Sequence, residues 1–386
     1  MSRSVVARLA AGWLALAALL VGCDKDKDVA PPATLVPFAA KLSVQRLWDA
    51  SLGGKDRALR LALAPAADDK RIYAAGPDGS VHAFDALSGR SLWRVNSKLG
   101  LSAGPGVGAG LVVTGTSDGQ VLALDAATGA RRWLIRTSGE VLAQPVIGPQ
   151  SVIVRTVDGR VRALALDTGR ELWSNEQQVP RLSLRGTAVP AIAGDTVVCG
   201  FDNGKVAAYS INNGDLLWEA SISPPRGKTE LERLVDIDGR IEVSGHDVFV
   251  AGFQGRVAML ALDSGQVWWS RELSSYRGLV LDGEILYITT AEGSVQALRR
   301  RDGTPIWDTD KLIRRGLTTP VIDGGAVVVA DFEGFVHWLD KDSGEIIARM
   351  PTKKKERITN APLVANGVVY VQNDAGRLWA FRAHKK

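Results

Sequence analysis

Apolar and polar positions alternate in short runs along most of the chain, as in Val121-Leu-Ala-Leu124 and Val161-Arg-Ala-Leu164. Runs of this kind predict β-strands. Asp-Gly, Asn-Gly and Thr-Gly pairs punctuate them roughly every ten residues and suit turns that need positive φ. The stretch Ala123–Trp133 shows the unit: a strand, a turn at Thr128-Gly129, and a second strand carrying a tryptophan. Turns this frequent leave no room for the longer helical periods of an α-solenoid.

The unit repeats in register. A first turn glycine recurs at Gly79, Gly119, Gly159, Gly204, Gly255, Gly293, Gly334 and Gly376. Ten residues after each of the first seven stands a second glycine, at Gly89, Gly129, Gly169, Gly214, Gly265, Gly303 and Gly344. Four residues later come Trp93, Trp133, Trp173, Trp218, Trp269 and Trp307, with Ala348 in the seventh repeat. Fourteen residues before the first glycine stands Pro65, Pro105, Pro145, Pro190, Pro320 or Pro362, and Ile241 and Leu279 take that place in the other two. The first glycines lie 38 to 51 residues apart, the period of a four-stranded propeller blade.

The eighth repeat stops one strand short, after Gly376-Arg-Leu-Trp-Ala-Phe381. Leu42-Ser-Val-Gln-Arg-Leu-Trp48 reads as the missing Trp-bearing fourth strand, without its first three. Pairing the two ends closes a ring and removes two open sheet edges. The expected fold is all-β: an eight-bladed propeller of four-stranded antiparallel blades over about residues 40–383, closed by the N-terminal strand.

Composition adds one point to this. Tryptophan outnumbers phenylalanine and tyrosine, 11 against 8 and 5, which suggests one repeated structural task. A Trp on each outer strand can stack on the neighbouring blade's turn. Trp48 and the six repeat tryptophans are therefore read as blade-docking residues, because side chains spread round a rim cannot converge on a ligand. The net charge of +5 is mild for 386 residues. With no aromatic-basic clustering, it argues against nucleic-acid binding.

The first residues read as a targeting segment. Arg3 and Arg8 precede a short apolar run, Leu9–Val21, and Leu20-Val21-Gly22-Cys23 resembles a bacterial lipobox. Residues 1–22 are then a lipoprotein signal peptide, Cys23 the lipidated first residue, and 23–39 a flexible Pro- and Ala-rich tether. Asp24 leaves inner-membrane retention open. The other cysteine, Cys199, lies in an apolar strand and reads as buried and inert.

The distance from the proline position to the Trp position never changes, so all length variation falls between one Trp position and the next proline position. These outer-to-inner loops share one face of the ring with the Asp-Gly turns. Variable loops on a rigid scaffold commonly carry function. The two longest are neighbours, 17 residues from Trp173 to Pro190 and 23 from Trp218 to Ile241, with another of 17 from Trp48 to Pro65. The neighbouring pair offers Leu182, Leu184, Leu231 and Leu234 beside Arg181, Arg185, Arg233, Asp236 and Asp238. Apolar anchors among charges suit a protein-binding patch. The competing reading has these leucines folding inward to pack the loops.

The Ala-x-Asp-x-x-Thr-Gly-x-x-x-Trp motif from Ala123 to Trp133 resembles that of quinoprotein-type propellers. With a lipobox, a closed ring and no fused enzyme domain, the chain is similar to the BamB family, the propeller lipoproteins of the bacterial outer-membrane β-barrel assembly machinery. Leu182-Ser-Leu-Arg185, Glu230-Leu-Glu-Arg-Leu-Val-Asp-Ile-Asp238 and Gly334-Phe-Val-His-Trp338 carry that likeness. It implies a non-catalytic scaffold at the outer membrane, facing the periplasm, that binds the periplasmic domains of the central barrel protein and assists folding and insertion of its clients. It implicates Leu182, Leu184, Arg185, Asp236 and Asp238 in that contact. Arg233 joins them from the loop composition.

Two other functions compete with this one. A quinone-dependent dehydrogenase shares the fold but would carry a Ca²⁺ site and often a vicinal cysteine pair. Asp236-Ile-Asp238-Gly starts like a calcium loop, yet no later acidic ligand follows at EF-hand spacing. No nucleophile elbow or histidine-rich metal motif is present. No cofactor is expected. A glycan- or cell-wall-binding propeller is the other rival, since the fold alone permits it. The run Lys353-Lys-Lys-Glu-Arg357 reads as a solvated charged loop.

Overall fold

The computed structural model describes residues 30–54, 61–184, 188–352 and 356–386. Ala33–Lys386 forms one compact unit, and the description below is of it. It contains eight four-stranded antiparallel sheets, as the repeat predicts. Seven are built from consecutive strands. The third blade, for example, runs Val146–Ile147, Ser151–Arg155, Arg160–Ala165 and Glu171–Glu176 from inside to outside. In the eighth, Leu363–Ala365, Val368–Gln372 and Arg377–Lys385 are completed by Leu42–Ser51 from the other end of the chain. Leu42 pairs with Lys385 and Ser51 with Arg377. Arg377 adds an ion pair to Asp49 across this closure.

The middle two strands of each blade are buried on both faces. Leu111–Gly115 and Ser151–Arg155 have no exposed position. They read as near-continuous apolar runs for that reason, and strict alternation survives mainly in the outer strands. The hydrophobic core is divided among eight clusters, each straddling the seam between two blades. One joins Ile153 and Ala163 to Cys199, Phe201 and Tyr209; the next round the ring joins Val198 and Trp218 to Ile237 and Val250.

Seven seams share one device. The indole Nε1 of Trp48, Trp93, Trp133, Trp173, Trp218, Trp269 and Trp307 donates to a carbonyl beside the next blade's Thr-Gly-type turn, over 2.7–3.1 Å. Each ring lies against the second glycine of that turn. A Cβ on Gly169 would sit 2.7 Å from the Trp133 ring, and Gly169 also has φ +70°. At about 25 cal/mol per Å² of apolar surface, one indole closed into such a seam stabilises it by roughly 4 kcal/mol.

A β-bulge aims these tryptophans. In every blade the register against the third strand skips the residue before the Trp position, as between Ala123–Trp133 and Leu124–Arg131. Where the Trp is present, the bulge turns it into the seam and throws the skipped side chain outward; in the seventh blade the skipped Ile347 is buried. Leu92, Leu172, Leu217, Trp268 and Ile306 are exposed for this reason. The sequence pattern did not show that outward turn.

Candidate functional site

The loop after Trp218 begins at the end of the outer strand Leu216–Ser221 and must cross to the fifth blade's inner strand, Glu242–Ser244. Its tip is a single turn held by a capping box. Thr229 Oγ1 accepts the Glu232 amide at 3.2 Å, and the Glu232 carboxylate accepts the amides of Lys228 and Thr229. That turn lifts Leu231 into solvent, 66% exposed, while Arg233 closes the base by donating to the Gly227 carbonyl at 3.0 Å. Beyond it the chain dives inward. Leu234, Val235, Asp236, Ile237 and Asp238 are all buried. The Ile237 amide bonds to the Phe201 carbonyl in blade four, and the Asp236 carbonyl accepts from Phe253 in blade five. The segment is thus a spoke wedged between two blades.

Asp236 joins this spoke to the other long loop, because its carboxylate accepts the main-chain amide of Leu184. Burial pushes the Asp236 carboxyl up to about 7, with the nearby charges of Asp202 and Asp238 adding to the rise. The Leu184 amide and Arg155 oppose it. Beneath lies a buried ion pair between Arg155 and Asp202, with the guanidinium 5.6 Å from the Phe201 ring centre. Arg155 Nε and Nη1, Asp202 Oδ2 and Asp236 Oδ1 have no protein hydrogen-bond partner among the described residues. Such a set of buried polar atoms suits internal water.

The two loops therefore adjoin, and the residues singled out from sequence divide between them. Leu182 is exposed, at 42%, and Arg181, Leu231 and Arg233 are exposed with it. Leu184 is half-buried and, with Asp238, Arg240, Glu242 and Arg277, lines a central cavity of about 510 Å³. Leu234, Asp236 and Asp238 are buried, so the inward-packing reading holds for Leu234. Arg185, Cys23, Asp24 and Lys353–Lys355 lie outside the described residues. Arg155 and Asp202 escaped the sequence reading. One signal existed: Arg155 ends a second strand where other blades place Ala75, Gly115, Gly200, Ala251, Thr289, Ala330 or Gln372.

The calcium-loop reading of Asp236-Ile-Asp238 does not fit this geometry. The Asp236 side chain and carbonyl both take main-chain amides, and among the described residues no three His, Cys, Asp or Glu side chains converge to hold a metal ion. Cys199 is buried, and that burial lifts its thiol to about 12, so it stays protonated.

Comparison with known proteins narrows the chemistry further. A family model described as outer membrane protein assembly factor BamB matches residues 77–309 and 292–385. The Pseudomonas aeruginosa protein of that name is 45% identical over 372 residues, covering 96% of this chain and 98% of the relative. The crystal structure of BamB from Moraxella catarrhalis superposes with a TM-score of 0.80 at 31% identity, covering 88% of this chain and 100% of the other. A europium-containing methanol dehydrogenase reaches a TM-score of 0.71 at only 12% identity, over 88% and 93% of the two chains, and shares the propeller alone. With identity this high along nearly the full length of a relative, and with the fold of a solved member, the chain belongs to the BamB family of outer membrane protein assembly factors rather than with the propeller enzymes.

Proposed function

We propose that this ring is a non-catalytic scaffold of the outer-membrane protein assembly machinery. It docks the periplasmic domains of the central barrel protein on the two adjoining loops. The observation that carries this reading is the Asp236–Leu184 bond. It fixes the loops against each other, and Leu182 and Leu231 stand exposed on them as apolar anchors, with Arg181 and Arg233 nearby in sequence. Exposed leucines on pinned loops lose little entropy on binding. Lipid on Cys23 would hold the ring at the outer membrane, facing the periplasm. The test is capture of the barrel protein's periplasmic domains by the purified chain, wild type against Leu182→Asp/Leu231→Asp. A loss of at least tenfold in affinity is expected, and unchanged capture overturns the assignment.

A second contact is supported by the outer rim. Leu172, Leu216, Leu217, Val267, Trp268 and Ile306 are exposed on the outer strands of blades three to six, whose outer edges pair with no strand among the described residues. An extended, apolar client strand fits such an edge by strand addition. Cross-linking of an unfolded barrel client to a probe at position 217 should exceed that at position 132 on the second blade. Equal labelling at the two positions removes this contact.

A further inference from the structure

The segment from Ala33 to Lys41 is fastened to the seventh blade and to the loop that leads into it. The Ala33 amide donates to the Ile313 carbonyl at 3.1 Å, and the Lys41 amide to the Ile347 carbonyl at 3.0 Å. Leu35 and Phe38 pack on the seam below. Two arginines grip the middle: Arg315 Nη1 donates to the Ala33 carbonyl at 2.9 Å, and Arg349 Nη1 to that of Val36 at 3.3 Å. The Arg349 guanidinium also lies 5.0 Å from the Phe38 ring centre.

Both arginines are set by His337, a member of the Gly334–Trp338 stretch. Arg349 Nε donates to His337 Nδ1 at 3.3 Å. An N–H on Arg349 needs an acceptor there, so Nδ1 carries no proton and Nε2 does. That Nε2–H then donates to Asp331 Oδ2 at 3.0 Å, and the same oxygen accepts from Arg315 Nε at 2.7 Å. Glu333 holds the other arm of Arg315. The groups facing His337 are thus Asp331 and Arg349 directly, Arg315 through Asp331, and Glu333 through Arg315. With a neutral imidazole these four charges cancel.

We propose that the Ala33–Lys41 strap is a releasable fastening whose catch is neutral His337: a proton taken up at Nδ1 breaks the Arg349–His337 bond and frees the strap from the seventh blade. A protonated Nδ1 is a donor facing a donor, and it leaves a buried cluster with one net positive charge. Burial holds the docked His337 below its ordinary value of 6.5, despite the raising effect of Asp331. Once the strap lifts, Arg349 loses its Val36 acceptor and can turn away from Nδ1, which then takes a proton more readily. The released state then binds more protons, so docking is strongest above pH 6.5 and weakens as the pH falls below it. The released fraction rises by up to tenfold per pH unit until the docked imidazole itself titrates. On the reading of Cys23 as a lipid anchor, release of these residues lengthens the tether by at most about 30 Å. The fastening itself does not depend on that reading.

Hydrogen exchange on the full chain tests this, and its readout is blind to the lipid. Protection factors of the Ala33 and Lys41 amides should fall between pH 7.5 and pH 5, by no more than about 30-fold, while those of the blade strands hold. His337→Gln, whose amide can donate to Asp331 and accept from Arg349, should keep the strap protected at both pH values. Strap protection in the wild type that does not change with pH overturns the proposal. So does a His337→Gln chain that loses its strap on acidification as the wild type does. The wild-type series decides the question by itself should the variant fail to fold.

Discussion

Trp173 and Gly214 are a matched pair: a Cβ on the glycine would come within 2.7 Å of the indole, whose Nε1 bonds at 2.8 Å to the Ile211 carbonyl. Trp173→Ala should cost about 3–5 kcal/mol, from lost burial and the cavity left in the seam. Gly214→Ala should cost about 1–3 kcal/mol, because φ +80° strains any other residue and the methyl meets the ring. The two costs should not add. With the indole gone, the alanine keeps only its backbone strain, so a double-mutant cycle by denaturant unfolding should show a favourable coupling. Simple additivity would mean that the ring and the turn do not touch in solution.

Asp236 gives a pH signature. Its carboxyl sits at about 7, above the ordinary 3.8, because burial disfavours the ionised form. The folded chain therefore binds more protons than the unfolded one between these values. The Asp236 contribution to stability is full below about pH 4 and is lost as the pH rises through 7. Asp236→Asn keeps an acceptor for the Leu184 amide and removes the charge. The variant should lose this part of the pH dependence, gaining up to about 4 kcal/mol relative to wild type at pH 8. Unfolding curves at pH 5 and pH 8 decide it, and an equal gap between the two chains at both pH values counts against a raised carboxyl.

The Arg155–Asp202 pair should respond asymmetrically. Asp202→Ala strands a buried guanidinium and should cost about 3–5 kcal/mol. Replacing both with apolar residues, Arg155→Met with Asp202→Leu, should recover most of that loss. Melting of the single and double variants measures this. A double variant as unstable as the single would mean that the pair holds the loops by more than its own charge balance.

What the sequence could show follows from what each residue depends on. The ring was legible because seven of its blades are each set by contacts within some forty residues, and the invariant spacing of Gly119, Gly129 and Trp133 records them directly. The loop site was half legible. Leu182 and Leu231 are exposed as their polar neighbours imply, but the same charge-rich composition made Asp236 look like surface. Its role comes from Leu184, 52 positions away, and no local pattern announces that partner. His337 was visible only as part of a family-like stretch, since the segment it fastens is some 300 residues distant.

Ala348 is the position where the Trp pattern breaks, and ring closure supplies the reason. A tryptophan there would dock on the turn between the third and fourth strands of the eighth blade. No such turn exists, because those strands are Arg377–Lys385 and Leu42–Ser51, from opposite ends of the chain. The Lys41 amide bonds to the Ile347 carbonyl instead, and Lys386 to that of Lys41. Ala348 is 3% exposed, packed among Trp338, Trp379 and Phe381, with Trp338 edge-on to Phe381 at 6.2 Å. Ala348→Trp should therefore destabilise the closing seam by about 1–3 kcal/mol through overpacking, although it restores the repeat's own consensus. Ala348→Gly should cost less, about 1 kcal/mol, as a small loss within a strand. Thermal unfolding of the two variants ranks them, and a stabilised Ala348→Trp chain would show that the closing seam accepts an indole without a turn glycine to receive it.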